Sequence, residues 1–336
     1  MTILLAFFGK CRIIYEGEAR AIMARTIIKS AVSTRNKEVY KKLFEALGGR
    51  LQQNVPLASY TTFGIGGEAD LFYPARKPEE LIYASRIAQK LKSRFFVLGG
   101  GSNMLVSDSG FRGLVIGNRC QKILVNQDSL SCQSGACLSD VVNLACRGSL
   151  SGLEFAAGIP GTVGGAIRGN AGAFGKSISE VLTEAVILTQ RGEIKEVEPS
   201  YFHFAYRESI LKQSGDILLS ARFKLKKQHK EEIKEKIRSN LKEREKGIPF
   251  KEKCAGCFFK NVMAGDRKIS AGFLLDQIGA KDMRVGDAEV STKHANILIN
   301  SGNAKAEDVR KLSRRLKKKV KEKFNIELEE EVVYIN

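Results

Sequence analysis

The sequence predicts a multidomain protein of the α+β class, and three observations carry that expectation. At 336 residues the chain exceeds what one small core organises. Its texture changes twice: alternating helix and strand patterns give way near residue 120 to short strand-like runs, and helices return near residue 228. A hydrophobic content of 43%, with 32 glycines and only 6 prolines, is that of a soluble globular chain.

Taken in order, Val39, Leu43 and Leu47 recur at helical spacing over residues 37–47, and Gly48-Gly49 closes that helix. The run "ADLFYPA" reads as a strand. Pro78 opens a helix whose buried face is Leu81, Ile82, Ala84, Ile87, Ala88 and Leu91. "FFVL" (95–98) reads as a buried strand and "LVI" (114–116) as another, completing a small α/β unit. Beyond residue 120, "KILVN", "SLSCQSGA", "AVILTQRGEIKEVE" and "ILLSARFKLK" are short strands with turn signals, and Gln190-Arg191-Gly192 makes the third a hairpin. A helix over 138–147 interrupts them. From 228 onward Ile233, Ile237 and Leu241 form one helical stripe, "AGFLLDQIGA" follows, and "NILIN" (296–300) is a strand. A basic helix with Val309, Leu312, Leu316 and Val320 on one face comes next, and "IELEEEVVYI" closes the chain as a strand. Residues 1–35 show no clear period. They read as an N-terminal extension, either a disordered tail or a start placed too early, with Met23 as the real start.

The net charge of +18 favours anionic partners: nucleic acid, a membrane surface or nucleotide-bearing small molecules. Much of it lies in two lysine-rich stretches, 224–246 and 310–323, which read as solvated faces. Nucleic-acid binding is not expected, because Trp is absent and aromatic residues do not interleave with the basic ones. No apolar run approaches the roughly 18 to 20 residues of a membrane span. "ILLAFF" (3–8) is short and lacks a preceding basic residue, so it makes a poor signal peptide. Seven cysteines, an odd number without framework spacing, point to reduced thiols in a cytoplasm.

Two of those thiols form a motif, "KEKCAGCFFKNV", with Cys254 and Cys257 three apart. Spacing leaves three readings open: a redox dithiol, half of a zinc site, or one working thiol with a neighbour. A zinc site needs two more ligands, and the chain has only three histidines and no second C-x-x-C. A thioredoxin-type dithiol should open a helix after a strand, whereas this motif follows a charged, proline-containing stretch and runs into Phe258-Phe259. No metal site is expected.

Glycine marks two further segments. "FVLGGGSNMLV" puts Gly99, Gly100, Gly101, Ser102 and Asn103 directly after a strand, where successive N–H groups can turn toward a phosphate and two side chains can add donors. A dinucleotide fingerprint would want glycine where Met104 stands, and a helix after it. The plain alternative is a tight turn. "GIPGTVGGAIRGNAGAFGKS" (158–177) carries seven glycines. Five residues separate Gly169 from Gly175, one more than a P-loop allows, so close approach of backbone to a flat ligand is the better account.

Seven segments occur in a characteristic order: "YTTFGIGGEADLFYPA", "FVLGGGSNMLVSDSGFRGLVI", "GLEFAAGIPGTVGGAIRGNAGAFG", "FAYRESILK", "AGCFFKN", "AGFLLDQIGAKDMRVGDAEVSTKHANILINSGNAKAEDV" and "LEEEVVYI". Over roughly residues 55–335 the chain resembles the UDP-N-acetylenolpyruvoylglucosamine reductases (UDP-N-acetylmuramate dehydrogenases), flavoenzymes of bacterial peptidoglycan precursor synthesis. The resemblance implies a two-part FAD-binding fold of the p-cresol methylhydroxylase/vanillyl-alcohol oxidase type plus a C-terminal α/β substrate domain. The first FAD-binding part would be 36–119 with 314–336, the second 120–227, and the substrate domain 228–313. It implies FAD and NADPH as cofactors and an enolpyruvyl ether of a UDP-sugar as substrate, in a cytoplasmic monomer. The short connection from Lys212 to Cys257 resembles the subtype that lacks a substrate-closing loop.

The same resemblance assigns site residues. The FAD pyrophosphate would lie on Gly99 to Asn103, with its other face against Gly158, Ile159, Pro160, Gly161, Gly164, Gly165, Asn170 and Gly172. Hydride addition to the substrate's vinyl carbon creates an enolate-like dianion, which needs positive charge at its carboxylate and a proton donor over the other alkene carbon. Arg207 matches the carboxylate-polarising arginine, and Cys257 stands where many members carry a proton-donating serine. Cys254 falls outside the motif and reads as a bystander. Glu331 matches the family's assisting acid, although strand periodicity alone would place Glu330 in the stripe of Ile326, Leu328, Val332 and Tyr334. Tyr206, Lys260, Asn261 and His294 match substrate-binding positions, with Arg244 and Lys246 nearby. Two other classes remain as alternatives: a flavoprotein of the same fold that oxidises an alcohol or lactone, which would not carry the Y-R-E-S and A-G-C-F-F-K-N pair, and a nucleic-acid-binding module, which would not be yellow.

Overall fold

The structure, a computed structural model, describes residues 34–264 and 267–336. The extension expected over 1–35 therefore lies, up to residue 33, outside the described residues. The first helix spans Thr34–Leu47, and its Leu43 and Leu47 are buried.

Among the described residues three sheets have four or more strands. The first runs Gln52–Pro56, Glu68–Ala75, Phe111–Asn118, Phe95–Leu98. Its central pairings are parallel, and the helix Pro78–Lys90 lies between Glu68–Ala75 and Phe95–Leu98 in the chain, as parallel pairing requires. Leu81, Ala84 and Ala88 from that helix share a core with Leu71, Tyr73, Leu114 and Ile116. The strand expected to be buried at 95–98 is only half-buried over Phe95, Phe96 and Val97, because it stands at the sheet edge.

The second sheet is antiparallel, in the order Ile194–Val197, Leu182–Leu188, Ile217–Lys224, Ser129–Gln133, Ile123–Val125. Its hairpin turns between Leu188 and Ile194, as the Gln190-Arg191-Gly192 signal predicts. The helix Leu138–Arg147 buries Val141, Val142 and Ala145 in a core with Phe155, Ile187 and Phe223. Ile237 and Leu241 of the helix Lys230–Gly247 pack against this same core, and Ile233 of that helix is buried. That helix therefore packs against the core of the second region, beside the helix Leu138–Arg147, although in the chain it follows the expected boundary at 228.

The third sheet runs Lys253–Cys257, Ile297–Asn300, Ala288–Val290, Arg284–Val285. The basic helix Ala306–Phe324 buries Val309, Leu312, Leu316 and Val320 in one core with Leu274, Leu275 and Leu298. Phe63, Ile65 and Leu105 from the first region share it. The expected boundary at 313/314 falls inside this continuous helix. The closing segment is a strand only over Val333–Ile335, parallel to Met104–Val106, with an isolated bridge between Phe259 and Glu330 before it. Among the described residues no helix is long and apolar enough to cross a membrane.

A carboxylate from the first region caps the basic helix. Asp108 Oδ1 accepts the Ala306 N–H at 2.8 Å and Oδ2 accepts the Glu307 N–H at 3.1 Å. Negative charge at a helix N-terminus satisfies otherwise unpaired donors and complements the dipole. Asp108→Ala is expected to lower the unfolding free energy by about 1 kcal/mol, and Asp108→Asn by less. Denaturant titration checks this; an unchanged midpoint in Asp108→Ala would show that the cap contributes nothing.

Candidate active site

The strand Phe95–Leu98 ends in the loop Gly99 to Asn103, and the second glycine segment packs against it. That contact requires glycine. A Cβ on Gly100 would stand 2.7 Å from Gly161 Cα, and one on Gly99 would stand 2.5 Å from Thr162 Oγ1. Gly101 adopts φ +63°, and a Cβ there would lie 2.0 Å from Tyr60 O. Part of the glycine content thus serves the packing of one loop on the other, which is broader than the expectation of a flat ligand alone. Ligand space remains beside Gly165, whose added Cβ would meet only Thr162 Oγ1 at 3.7 Å.

The side-chain donors of the first loop are turned inward. Ser102 Oγ donates to Pro160 O at 3.0 Å, and Asn103 Nδ2 donates to Glu331 O at 3.2 Å. What is left is backbone: among the described residues, the N–H groups of Gly99 to Asn103, Gly158, Gly161 and Thr162 donate to no protein acceptor. Neighbouring N–H groups without partners form an anion nest, which fits the pyrophosphate of FAD. Asn170 Nδ2 donates to Ala205 O at 2.9 Å while its Oδ1 is buried without a partner, an acceptor left for a ligand donor.

Cys257 ends the strand Lys253–Cys257, where a bulge redirects the side chains. Cys254 pairs with Ile299 and Cys257 with Ile297, and Gly256 takes φ +76° between them. The following residues pair with the end of the chain. Phe258 O accepts the Glu331 N–H at 2.8 Å, and the Lys260 N–H donates to Glu329 O at 2.8 Å. This seats Glu331 within electrostatic reach of the thiol. Arg207 arrives from a third segment with φ +58°. Its Nη1 donates to Gly172 O at 3.0 Å, and its Nε lies 3.0 Å from Glu331 Oε1 as an ion pair, although that buried N–H is not directed at an acceptor. Glu330 faces away, accepting from Ser313 Oγ at 2.7 Å and lying 3.6 Å from Lys317 Nζ.

Burial pushes the Cys257 thiol up to about 11; Glu331 adds to the rise, while Arg207 and Arg244 oppose it. Burial also lifts the Glu331 carboxyl above its ordinary range, against the pull of Arg207, Lys212 and Lys260. A thiol held protonated at neutral pH is suited to give a proton rather than to attack as a nucleophile. Cys254 is raised by burial, and its carbonyl accepts from Thr62 Oγ1 at 2.7 Å. Among the described residues no group of three or more His, Cys, Asp or Glu is placed to hold a metal.

The remaining expected residues are more occupied than the sequence suggests. Lys260 Nζ sits 2.6 Å from both Glu208 Oε1 and Glu329 Oε1, and these partners outweigh burial to hold its ammonium charged. Asn261 Oδ1 accepts the Ala271 N–H at 3.0 Å, at the start of the helix Ala271–Asp276. His294 Nδ1 accepts the Asn296 N–H at 3.1 Å, and its ring lies against Gly272 and Gly247. Burial holds it below its ordinary range. Only Tyr206 is open, with Lys268 Nζ 4.3 Å from its ring centroid. Glu208 and Glu329 were not singled out from the sequence. Their signal, acids beside Arg207 and before Glu331, looks like ordinary surface charge.

The chain was compared with known proteins. Residues 69–198 match the family model "FAD binding domain", and residues 248–335 match "UDP-N-acetylenolpyruvoylglucosamine reductase, C-terminal domain". The UDP-N-acetylenolpyruvoylglucosamine reductase of Clostridium novyi (strain NT) is 38% identical over 297 residues, which is 88% of this chain and 95% of that one. That of Desulforamulus reducens is 40% identical over 286 residues, covering 84% and 93%. Among solved structures, the UDP-N-acetylenolpyruvylglucosamine reductase from Thermus caldophilus superimposes with a TM-score of 0.73 at 36% identity, over 85% of this chain and 99% of that one. Similarity of this extent, spanning both domain models, places the chain in the UDP-N-acetylenolpyruvoylglucosamine reductase family.

Proposed function

We propose that Cys257 is the proton donor, Arg207 the carboxylate anchor and Glu331 the assisting acid of the family's reaction in this chain. As a member of the family the protein is an FAD-dependent oxidoreductase of peptidoglycan precursor synthesis; with NADPH as reductant it converts UDP-N-acetylenolpyruvoylglucosamine to UDP-N-acetylmuramate. The observation that carries the residue assignment is the convergence of a protonated thiol, a guanidinium and a carboxyl group from three segments distant in sequence.

The backbone N–H groups of Gly99 to Asn103, Gly158 and Gly161 would hold FAD, which when bound would supply the hydride chemistry with NADPH as reductant. The chain's own residues do the rest. Arg207 Nη2 makes no hydrogen bond among the described residues, so that edge of the fork is free for the substrate carboxylate. Charge pushed into that carboxylate is stabilised there. Cys257 Sγ–H gives its proton to the adjacent alkene carbon, and the electron pair stays on sulfur. Glu331 orients Arg207 and, from its lifted carboxyl, shares in holding the new charge. Lys260 fixes Glu208 and Glu329 across the junction of the segments, and Lys212 Nζ reinforces it by donating to Arg207 O at 2.5 Å.

The same reading includes a cytoplasmic monomer of the loop-lacking subtype. Between Lys212 and Lys253 the chain holds little more than the strand Ile217–Lys224 and the helix Lys230–Gly247. It also keeps an FAD-binding part in 36–119 with the returning C-terminus, a second in 120–227, and a substrate part in 228–313.

The deciding assay is NADPH oxidation by the purified yellow protein, dependent on the enolpyruvyl sugar nucleotide; oxidation that ignores that compound would sink the reading. Gly100→Ala should purify without flavin, because its Cβ would force the two loops apart; retained flavin absorbance would show that the loops can part without losing the nest. Arg207→Ala and Glu331→Gln should slow substrate reduction far more than they reduce flavin content, and Glu330→Gln should be milder. Stopped-flow measurement decides, and greater damage from Glu330→Gln would reverse the assignment of the acid. Cys257→Ala should leave reduction by NADPH normal while substrate-dependent reoxidation slows by roughly 10²- to 10⁴-fold. Cys257→Ser should keep substantial activity and Cys254→Ala nearly all. Equal damage from either alanine variant would mean that both thiols act together.

A further inference from the structure

We infer that Arg119 is a positioning residue of the FAD site: by holding the carbonyl of Gly99 it turns the N–H of Gly100 into the anion nest. This rests on the reading of the loop Gly99 to Asn103 as the seat of the FAD pyrophosphate.

In a planar trans peptide the carbonyl and the following N–H point in opposite directions. An N–H can therefore be aimed by fixing the carbonyl of the residue before it. Every second carbonyl of the loop is fixed in this way. Asn103 O accepts the Val333 N–H at 3.1 Å, and Gly101 O accepts the Thr62 N–H at 3.1 Å. Gly99 O accepts from a side chain, Arg119 Nη1, at 3.2 Å. The N–H groups opposite Gly101 O and Gly99 O are those of Ser102 and Gly100, and neither meets a protein acceptor among the described residues. Glycine at 99, 100 and 101 has no Cβ to limit the peptide planes, so these bonds select an orientation that the backbone alone would leave open.

Arg119 reaches the loop from a firm base. It directly follows the strand Phe111–Asn118, and its N–H donates to Ala75 O at 2.7 Å. Its neighbour Asn118 is buried, with Nδ2 donating to Ser134 Oγ at 2.8 Å. The guanidinium lies 5.9 Å from the centre of the Tyr60 ring, and Tyr60 O walls the loop at Gly101. Among the described residues its hydrogen bonds run to main-chain oxygen, Gly99 O and, at 3.5 Å, Asn118 O. The Gly99–Gly100 amide thus accepts from a cation at its oxygen and is left to donate at its nitrogen. Bonds at the two ends of one amide polarise each other, and a charged donor does so most. The Gly100 N–H is in this way both aimed and strengthened toward a phosphate oxygen. Two of the three carbonyls are held by main chain; only the one at Gly99 depends on a side chain that substitution can remove.

The test dilutes the flavin-loaded full chain in series and measures free FAD by fluorescence after ultrafiltration. Arg119→Met, which keeps the stem but removes the charged donor, is expected to raise the FAD dissociation constant by about 10- to 100-fold. Arg119→Lys, which still carries a charged donor, should stay within about threefold of the parent. Flavin that remains bound should keep its absorbance maxima and its rate of reduction by NADPH in both variants, since Arg119 acts through the loop and does not touch the ring. An unchanged dissociation constant in Arg119→Met overturns the proposal. So do shifted absorbance maxima, which would make Arg119 a direct flavin contact, and a loss in Arg119→Lys equal to that in Arg119→Met, which would leave no role for the charged donor. Flavin retained by Gly100→Ala would instead remove the nest reading itself, so the two failures are distinguishable.

Discussion

The last stretch of backbone, residues 329–335, is hydrogen-bonded on one side to residues 258–260, just after Cys257, and on the other to the glycine loop. Glu329 O and the Glu331 N–H engage Lys260 and Phe258, while Glu331 O and the Val333 N–H engage Asn103. Ile335 O then receives the Ser107 N–H at 2.8 Å. This strap ties the glycine loop to the segment that carries Cys257. It also explains why the segment is irregular: a straight strand pairs with one neighbour along its length, whereas this one changes partners at Glu331. The change of partner turns Glu331 toward Arg207 and leaves Glu330 to Ser313 and Lys317.

That turn marks where sequence reading stopped. Elements whose pattern follows one period over many residues were legible almost to the residue, as with the helix at 138–147 and the hairpin around Gln190-Arg191-Gly192. The choice between Glu330 and Glu331 was not legible from periodicity. Alternation assumes a continuous strand, and here the strand is broken by a bridge of one residue. Motif register points to Glu331, the residue that the fold pairs with Arg207. The short helix Val163–Arg168, capped by Thr162, was hidden because glycine at 164 and 165 weakens any helical pattern. The edge at 228 followed a change of texture and the edge at 313/314 the family resemblance, whereas the helices around them follow cores: Lys230–Gly247 packs into the core of the second region and Ala306–Phe324 into that of the third.

Occupied side chains were the other invisible feature. Ser102, Asn103, Lys260, Asn261 and His294 look free in sequence, since a polar residue near a ligand motif suggests a contact. In the fold each is engaged with protein, by hydrogen bonds and, for Lys260, ion pairs. Buried donors and acceptors must be satisfied, and a junction between cores has many of them. Much of the polar character around the site therefore holds the parts together, and the groups left without protein partners among the described residues include backbone N–H groups, the Asn170 Oδ1 and the free edge of Arg207.

As the proposed proton donor, the Cys257 thiol has two opposing requirements. It must keep its proton until the substrate carbon becomes basic, and it must lose the proton readily at that moment. Burial serves the first: a rise from 9.0 to about 11 is roughly 3 kcal/mol of added resistance to ionisation. The same burial would oppose the second if the surroundings were apolar throughout. Two guanidiniums nearby change the balance, because their attraction grows with the negative charge and is nearly absent for the neutral thiol. Arg207 is ion-paired with Glu331 and is proposed to anchor the substrate carboxylate, so the ease with which sulfur gives up its proton depends on how that guanidinium is shared.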